Sequence, residues 1–542
     1  MRSLAVILLI TGLFAQGPAN KIHAQTGAEK ISEAKMRAHI AFLADDLLEG
    51  RGTGQRGMQL ATRYMAAQFE LNGIGPAGEN GTYYQHVPII RPFLSEESSF
   101  TIVFDNEAIP LEHGADVILR QWDFSENLFE SDAVFVGYGI SAPDSDWDDY
   151  GDFDIRGKVV IMCAGVPAES RFTRENSRLF SRDNYKYDAA REKGAAAALI
   201  IHDPERIRSS WRQLARAATS PRPVLALEEP EQSPLKAAGY ITKETADRLF
   251  QKAGIDAEDL QKRAENPDFS PVPLRFNAEF HIKTDVEDLS DRNVLGIIRG
   301  TIEDEYVLVT SHLDALGIGP PLNGDNIYNG AVDNATGPAG LIEMGRIFAE
   351  SAEKPHRSIV IIALAAEELG FYGARAYTAN PIFPVEKILA VVNIDEVLNH
   401  GEMTEICVFG NDRSTLGPLC EEIARVNQLT VAPDDAGPRG AFFLSDQIAF
   451  AEAGIPSILL YTGNQHKGRP DGWSKMKLDE YYAEKIHRPT DEYSEDWDMA
   501  GILQITRFGY EAAYRISQLS EWPEWYDGQP YKQIREESLK IK

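Results

Sequence analysis

The chain has 542 residues, with 54 Lys and Arg against 83 Asp and Glu, a net charge of −29. A surface that acidic excludes nucleic acid and anionic membrane as expected partners. Three cysteines, Cys163, Cys407 and Cys420, exclude a disulfide framework, and the length predicts two or more domains because one core does not grow that large.

Residues 1–24 carry Arg2, an apolar run from Leu4 to Phe14 and then Ile22, His23 and Ala24. This predicts a signal peptide, with cleavage after Ala15 or an uncleaved anchor as alternatives. The run is too short for a permanent span, and no second segment is long and apolar enough to cross a membrane. From Ile31 to Val87, Met36, Ile40 and Leu43, then Met58, Ala61, Tyr64, Met65 and Phe69, recur at helical spacing. Between them LLEGRGTGQRG places Gly50, Gly52, Gly54 and Gly57 in a turn-rich loop. No strand precedes it, so it does not read as a nucleotide loop.

From about Ser131 the texture turns to β: SDAVFVGYGI, GKVVIMCAG, a helical DAAREKGAAAA and ALIIHDP. Residues 125–273 therefore predict an insert with its own small core. After it, FNAEFHIKTDVED and NVLGIIRG read as strands returning the chain to the main sheet.

The stretch from Tyr306 to Glu396 concentrates the chemistry. YVLVTSHLD ends at His312 and Asp314; GAVDNATG centres on Asp333 and opens a helix; SIVIIALAAEELG stops at Glu367 and Glu368; AVVNID stops at Asp395. Such runs suit a mostly parallel sheet covered by helices on both faces, where ligands gather at the carboxyl ends of strands. One acid at a strand end is usually a helix cap. A histidine and several carboxylates from successive strand ends make a donor set for zinc or a similar divalent ion in a hydrolase. Beyond Asp395 follow ICVFG, a helix from about Leu416 to Val426, the strand PSILLYTG, a loop bearing His487, and a final helix from Met499 to about Leu519. His400 and His466 also follow predicted strands, and spacing alone does not choose among these three histidines.

The ordered segments SHLD, GAVDNATG, AAEELG, NID and IHRPTDEY resemble the co-catalytic di-zinc aminopeptidases of clan MH. More narrowly, FLADDLLEGRGTGQRG, VFVGYGI and DIRGKVV resemble the secreted, bacterial leucyl aminopeptidase type with an inserted protease-associated (PA) domain. The resemblance implies an α/β fold with a mixed, mostly parallel sheet. It divides the chain into a leader (1–24), an N-terminal part of the peptidase domain (30–124), a β-rich PA insert (125–273) and the main part carrying the metal site (274–542). It further implies that Asp333 bridges two zinc ions, or other divalent ions, with His312 and Asp395 on one and Glu368 and His487 on the other. Glu367 would be the general base, Asp314 would orient His312, and the Asp333–Asn334 peptide would be cis. The implied substrate is a peptide with a free N-terminus and the implied location periplasmic or extracellular.

The sequence departs from the family at four positions. Ala315 and Gln447 stand where relatives often have His, Ile486 where some place an oxyanion-stabilising Tyr, and Glu396 where Met is common. Glu396 reads either as a recognition group for the α-amine or a basic side chain, or as a solvated strand-end acid. Asn334, Ala335 and Thr336 form a glycosylation sequon inside the metal motif, which reads as an accident of sequence. Two other functions share this fold: a glutaminyl cyclase using fewer metals, and a receptor-like binding module that has lost ligands.

Overall fold

The apolar runs fold as strands whose two faces are both covered. The computed structural model describes residues 27–105, 107–121, 126–168, 172–219, 221–227, 235–433 and 440–540, so the expected leader lies outside the described residues. The chain divides into one unit of Met1–Val87 with Ser290–Lys542 and a second of Pro88–Leu289.

In the first unit five strands carry the site: β1 (Asp291–Ile298), β2 (Ile302–His312), β3 (Arg357–Leu364), β4 (Ile388–Ile394) and β5 (Ser457–Thr462). They lie side by side in the order β1-β3-β2-β4-β5. β2 runs parallel to β3 and β4, β4 parallel to β5, and β1 antiparallel to β3. Gly75–Pro76 and Tyr84–Val87 pair with β1, while Glu405–Phe409 and Thr430–Ala432 extend the sheet beyond β5. The sheet is thus mixed and mostly parallel at its centre.

Every residue of β3, β4 and β5 is buried, and alternate residues serve opposite faces. Leu308, Val360, Ile362 and Val391 meet Tyr377, Ala449 and Phe450, which come from the helices Tyr372–Ala379 and Gln447–Glu452. The other face takes α1 (Thr336–Glu350) and α3 (Ala500–Gln518); α2 (Trp473–Glu484) precedes α3. Both covering helices approach closely through glycine. A Cβ at Gly345 would lie 2.8 Å from Ile361 Cδ1, and one at Gly509 3.0 Å from Ile394 Cδ1. Each fully buried aliphatic side chain in this sandwich contributes about 1.5–3 kcal/mol.

The second unit is larger than the segment 125–273 read from sequence. Its eight-stranded sheet holds four parallel strands, Asn127–Phe135, Val159–Cys163, Ala197–His202 and Ala237–Thr242. Val272–Ile282, expected to return to the main sheet, instead pairs antiparallel with Ser99–Phe104 and Asn127–Phe135. Thr284–Asp288 likewise pairs with Ile89–Leu94 inside this unit. Alternation identified these strands correctly, but which sheet a strand joins is decided by long-range pairing. Odd and even strand residues again fill two cores, one around Phe135, Ile161 and Leu199, the other around Val134, Met162 and Ile200.

Cys163, Cys407 and Cys420 are buried and none forms a disulfide. Among the described residues no helix is long and apolar enough to cross a membrane.

The start of α1 ties the fold to the site. Asn334 Oδ1 accepts from Gly337 N at 2.9 Å, satisfying a first-turn amide that otherwise lacks a partner. A Cβ on Gly337 would lie 2.0 Å from Ser311 Oγ, one residue before His312. Gly337→Ala should therefore destabilise by about 1–3 kcal/mol, read as a lower urea midpoint at unchanged slope.

Candidate metal centre

Successive strand ends bring the predicted donors to one rim of the sheet. His312 is the last residue of β2, Asp333 precedes α1, Glu367 and Glu368 follow β3, Asp395 follows β4, and His487 follows α2. His312 Nε2 lies 2.9 Å from Asp395 Oδ1 and 3.2 Å from Asp333 Oδ1. His487 Nε2 lies 3.3 Å from Asp333 Oδ2 and 3.1 Å from Glu368 Oε2. Two donor groups result, His312–Asp333–Asp395 and Asp333–Glu368–His487, in each of which the ligand atoms fall within 4.8 Å of one another. The groups share Asp333, one carboxylate oxygen turned to each.

These donors suit a metal. Three protein nitrogen and oxygen ligands with room for a fourth is the arrangement of a catalytic zinc site. Glu368 Oε1 and both carboxylate oxygens of Asp446 are buried without a hydrogen-bond partner among the described residues, which leaves acceptor oxygens that a cation would engage.

The supporting contacts differ in part from the expectation. His312 Nδ1 lies 3.1 Å from the main-chain oxygen of Asp314, whose carboxylate is 3.7 Å away. That carboxylate accepts from the amides of Glu367 at 3.0 Å and Glu368 at 3.4 Å. Asp314 thus holds the loop after β3 as well as facing His312. Asp491, not singled out by sequence although it lies within IHRPTDEY, accepts from Val332 N and Asp333 N at 3.0–3.1 Å. Asp395 is held by Asn334 Nδ2 at 3.0 Å and Ser445 Oγ at 2.6 Å. Asn334 is wholly buried, so its sequon is closed to glycosylation in the folded chain, and the Asp333–Asn334 peptide is cis.

The rival histidines sit elsewhere. The His400 and His466 rings lie 6.0 Å apart, and both pack against Trp473; neither enters a donor group. Gln447 serves the fold, accepting from Asn393 Nδ2 and donating to Phe442 O. Beside the centre, Tyr461 donates to Glu396 Oε2 at 2.7 Å, with the Tyr482 hydroxyl 2.9 Å from that of Tyr461. With Tyr481, whose hydroxyl is buried, α2 brings two phenols to the region where Ile486 brings none.

Charge shapes the site. Burial, reinforced by Asp395, Asp446 and Glu368, pushes the Glu367 carboxyl well above its ordinary range, with His312 opposing. Burial would also raise Asp333, but hydrogen bonds from His312 and His487 outweigh it and hold that carboxyl low. Hydrogen bonds to Asp333 and then Glu368 push His487 up to about 10. Burial lowers His312, yet Asp395 and Glu367 carry it well above the usual histidine range. In the metal-free chain both imidazoles are therefore shifted toward the protonated form, each set between carboxylates.

Fold and site together set two groups of metal-capable donors at the strand ends of a mixed α/β domain. Residues 293–508, which contain all five donors, match the model of peptidase family M28. The match covers the segment of the chain that carries the donors. The chain is 30% identical over 138 residues to "Aminopeptidase NAALADL1" of Mus musculus, covering 24% of this chain and 17% of the relative. It is 29% identical over 220 residues to "Probable glutamate carboxypeptidase VP8" of Zea mays, covering 36% of this chain and 28% of the relative. The chain thus spans less than a third of the length of either relative. Among solved structures, it is similar to BSAP, a zinc aminopeptidase from Bacillus subtilis, at 17% identity and a TM-score of 0.42 over 90% of this chain and 95% of that one.

Metal uptake requires neutral imidazoles. Because His487 is raised to about 10 in the metal-free chain, zinc must displace its proton at neutral pH, and affinity should rise from pH 6.5 to pH 8. Calorimetry in buffers of different ionisation enthalpy should show net proton release. An affinity flat across that range would remove the histidines from the ligand set.

Proposed function

We propose that the chain is a di-zinc aminopeptidase that removes N-terminal residues from peptides. The observation that carries this reading is the pair of donor groups sharing Asp333, with the carboxyl of Glu367 beside them and bonded to neither histidine. When bound there, two zinc ions would supply the Lewis acidity that water attack on an amide requires.

The chain's own residues then have distinct tasks. Asp333 places one oxygen toward each group, His312 and Asp395 complete one, and Glu368 and His487 the other. Glu367 and Glu368 are adjacent, and Asp314 accepts from both amides. That fixes the turn so that one carboxyl serves as ligand while the other faces substrate. Glu367 takes a proton from the attacking water and delivers it to the leaving amine. Glu396, one residue past Asp395, accepts from Tyr461 at 2.7 Å; burial, then Asp333 and Asp395, push its carboxyl well above the usual range, and a substrate's α-ammonium is the cation that would draw it to the charged form. This acidic surround favours an amino-terminal over a carboxyl-terminal substrate. The leader expected at residues 1–24 and the PA-like character of the second unit belong to the same proposal, which places the enzyme outside the cytoplasm.

The test is metal content per chain together with amino-acid release from matched free and N-acetylated peptides. Two zinc ions and cleavage of free peptides alone support the reading. One ion with cyclisation of N-terminal Gln, binding without cleavage, or release from the carboxyl end would each replace it. Glu367→Gln should lower kcat by about 10²–10⁴-fold with zinc content unchanged.

A further inference from the structure

The glycine-rich segment between Asp45 and Gly57 takes no part in the proposed reaction, yet it closes against the loops that bear the metal donors. Glu49, Gly50 and Arg51 follow one another in the left-handed region, with φ of 51°, 65° and 49°. Gly50 is required there, since a Cβ would stand 2.4 Å from Tyr328 O and 2.8 Å from Gly317 O. Gly52 pairs with Ala315, and Ala315 N donates to Arg51 O. From the other side Asn329 Nδ2 donates to Ala44 O and to Asp46 Oδ1. Thr53 Oγ1 lies 3.4 Å from Asp314 Oδ2, and Gly54 N donates to Asp291 Oδ2.

Arg51 is at the centre of this closure and is 0% exposed. Its Nε donates to Leu313 O at 2.8 Å, one terminal nitrogen to Asn329 O at 2.7 Å and to Leu43 O, and the other to Gly330 O at 2.9 Å. Leu313 stands between His312 and Asp314, and Asn329–Gly330 lead into Asp333. All four acceptors are main-chain carbonyls. The charge is balanced across space by Asp314 first, then Asp491, Asp333 and Glu368, while burial lowers the guanidinium to about 10 and leaves it charged at neutral pH. A buried charge is costly, and an apolar side chain could fill the space without that cost. What it could not do is tie three separate loops through one rigid planar fork, nor could lysine, whose ammonium is a point donor.

We propose that Arg51 is a positioning residue of the metal centre: its guanidinium fixes the main chain at Leu313 and at Asn329–Gly330, and so sets His312 and Asp333 in the geometry that binds metal. The inference rests on the metal-centre reading above and extends the site to a residue outside the matched segment 293–508.

The test uses the full chain, wild type and with Arg51→Lys or Arg51→Gly, stripped of metal and checked for folding by near-ultraviolet circular dichroism. Each is titrated with zinc against a chromophoric competitor, and cobalt(II) absorption reports coordination geometry. Both variants should fold and bind zinc about 10- to 100-fold more weakly, the usual effect of losing a group that orients a ligand, with an altered cobalt spectrum. Arg51→Gly suits the left-handed backbone, and millimolar guanidinium should restore part of its affinity where ammonium does not. A folded lysine variant with wild-type affinity and spectrum overturns the proposal. So does failure of both variants to fold with or without zinc, which would make Arg51 a stability residue alone. A wild type that binds no zinc overturns this proposal and the metal-centre reading together, an outcome distinct from equal binding by wild type and variant.

Discussion

The first unit is built around a concentration of carboxylates that would repel one another if left to themselves. Asp314, Asp333, Glu367, Glu368, Asp395, Asp446 and Asp491 converge on one rim of the sheet, and Asp314, Asp446 and Asp491 are almost wholly buried. Carboxylates that close cannot all ionise in a low dielectric unless cations or hydrogen-bond donors offset them. The directions of shift record this tension: Glu367 and Asp446 are raised first by burial and then by neighbouring acids, with His312 opposing in both cases. Asp333 is held low, because it alone receives hydrogen bonds from both histidines.

Main-chain amides carry part of the load, and that explains the order of the elements. Asp491 takes two amides of the loop before α1, and Asp314 takes two of the loop after β3. Each of these acids exchanges a desolvation cost for a fixed turn, and each turn holds a donor: Asp333 in one case, Glu368 in the other. Arg51 works in the opposite sense, a buried cation donating to carbonyls directly after β2 and in the loop before α1. Acids grip amides and the arginine grips carbonyls. The donor-bearing loops are thereby fixed through both kinds of peptide group before any metal arrives.

What sequence reveals of such a site follows from the range of the interactions involved. His312, Asp333, Glu367, Glu368 and Asp395 could be read because each terminates or follows a local apolar run, and strand ends of a parallel sheet converge by topology alone. His487 could not be separated from His400 and His466 by spacing, since all three come after predicted strands; in the structure His487 follows α2, and His400 and His466 pack against Trp473 instead. Arg51 was hidden because its partners are carbonyls, which leave no trace in side-chain identity. Asp446 was hidden because its neighbours are 50 or more residues away. FNAEFHIKTDVED reads as one strand and forms the end of Val272–Ile282 and all of Thr284–Asp288; the alternation along Val272–Ile282, unlike the continuous burial of β3 and β4, is the sign that it belongs to a different sheet.

The second unit shows why strand ends alone do not make a site. It too has four parallel strands whose carboxyl ends carry polar groups, and it too buries an acid there. Asp149 is raised to about 6 by burial, although it accepts from Tyr138 N, Ile140 N and Trp147 Nε1. Lys186, also fully buried, is lowered to about 8 by desolvation and donates to Tyr138 O. The acid and the amine offset each other within one cluster, and every hydrogen-bonding oxygen of Asp149 is occupied, so no ligand is called for. In the first unit the site's acids outnumber its fixed cations among the described residues, where Glu368 and Asp446 keep buried oxygens without partners. The same topology therefore yields an internally balanced structural pair in one sheet and an open donor set in the other, and the difference lies in whether the chain supplies its own counter-charge.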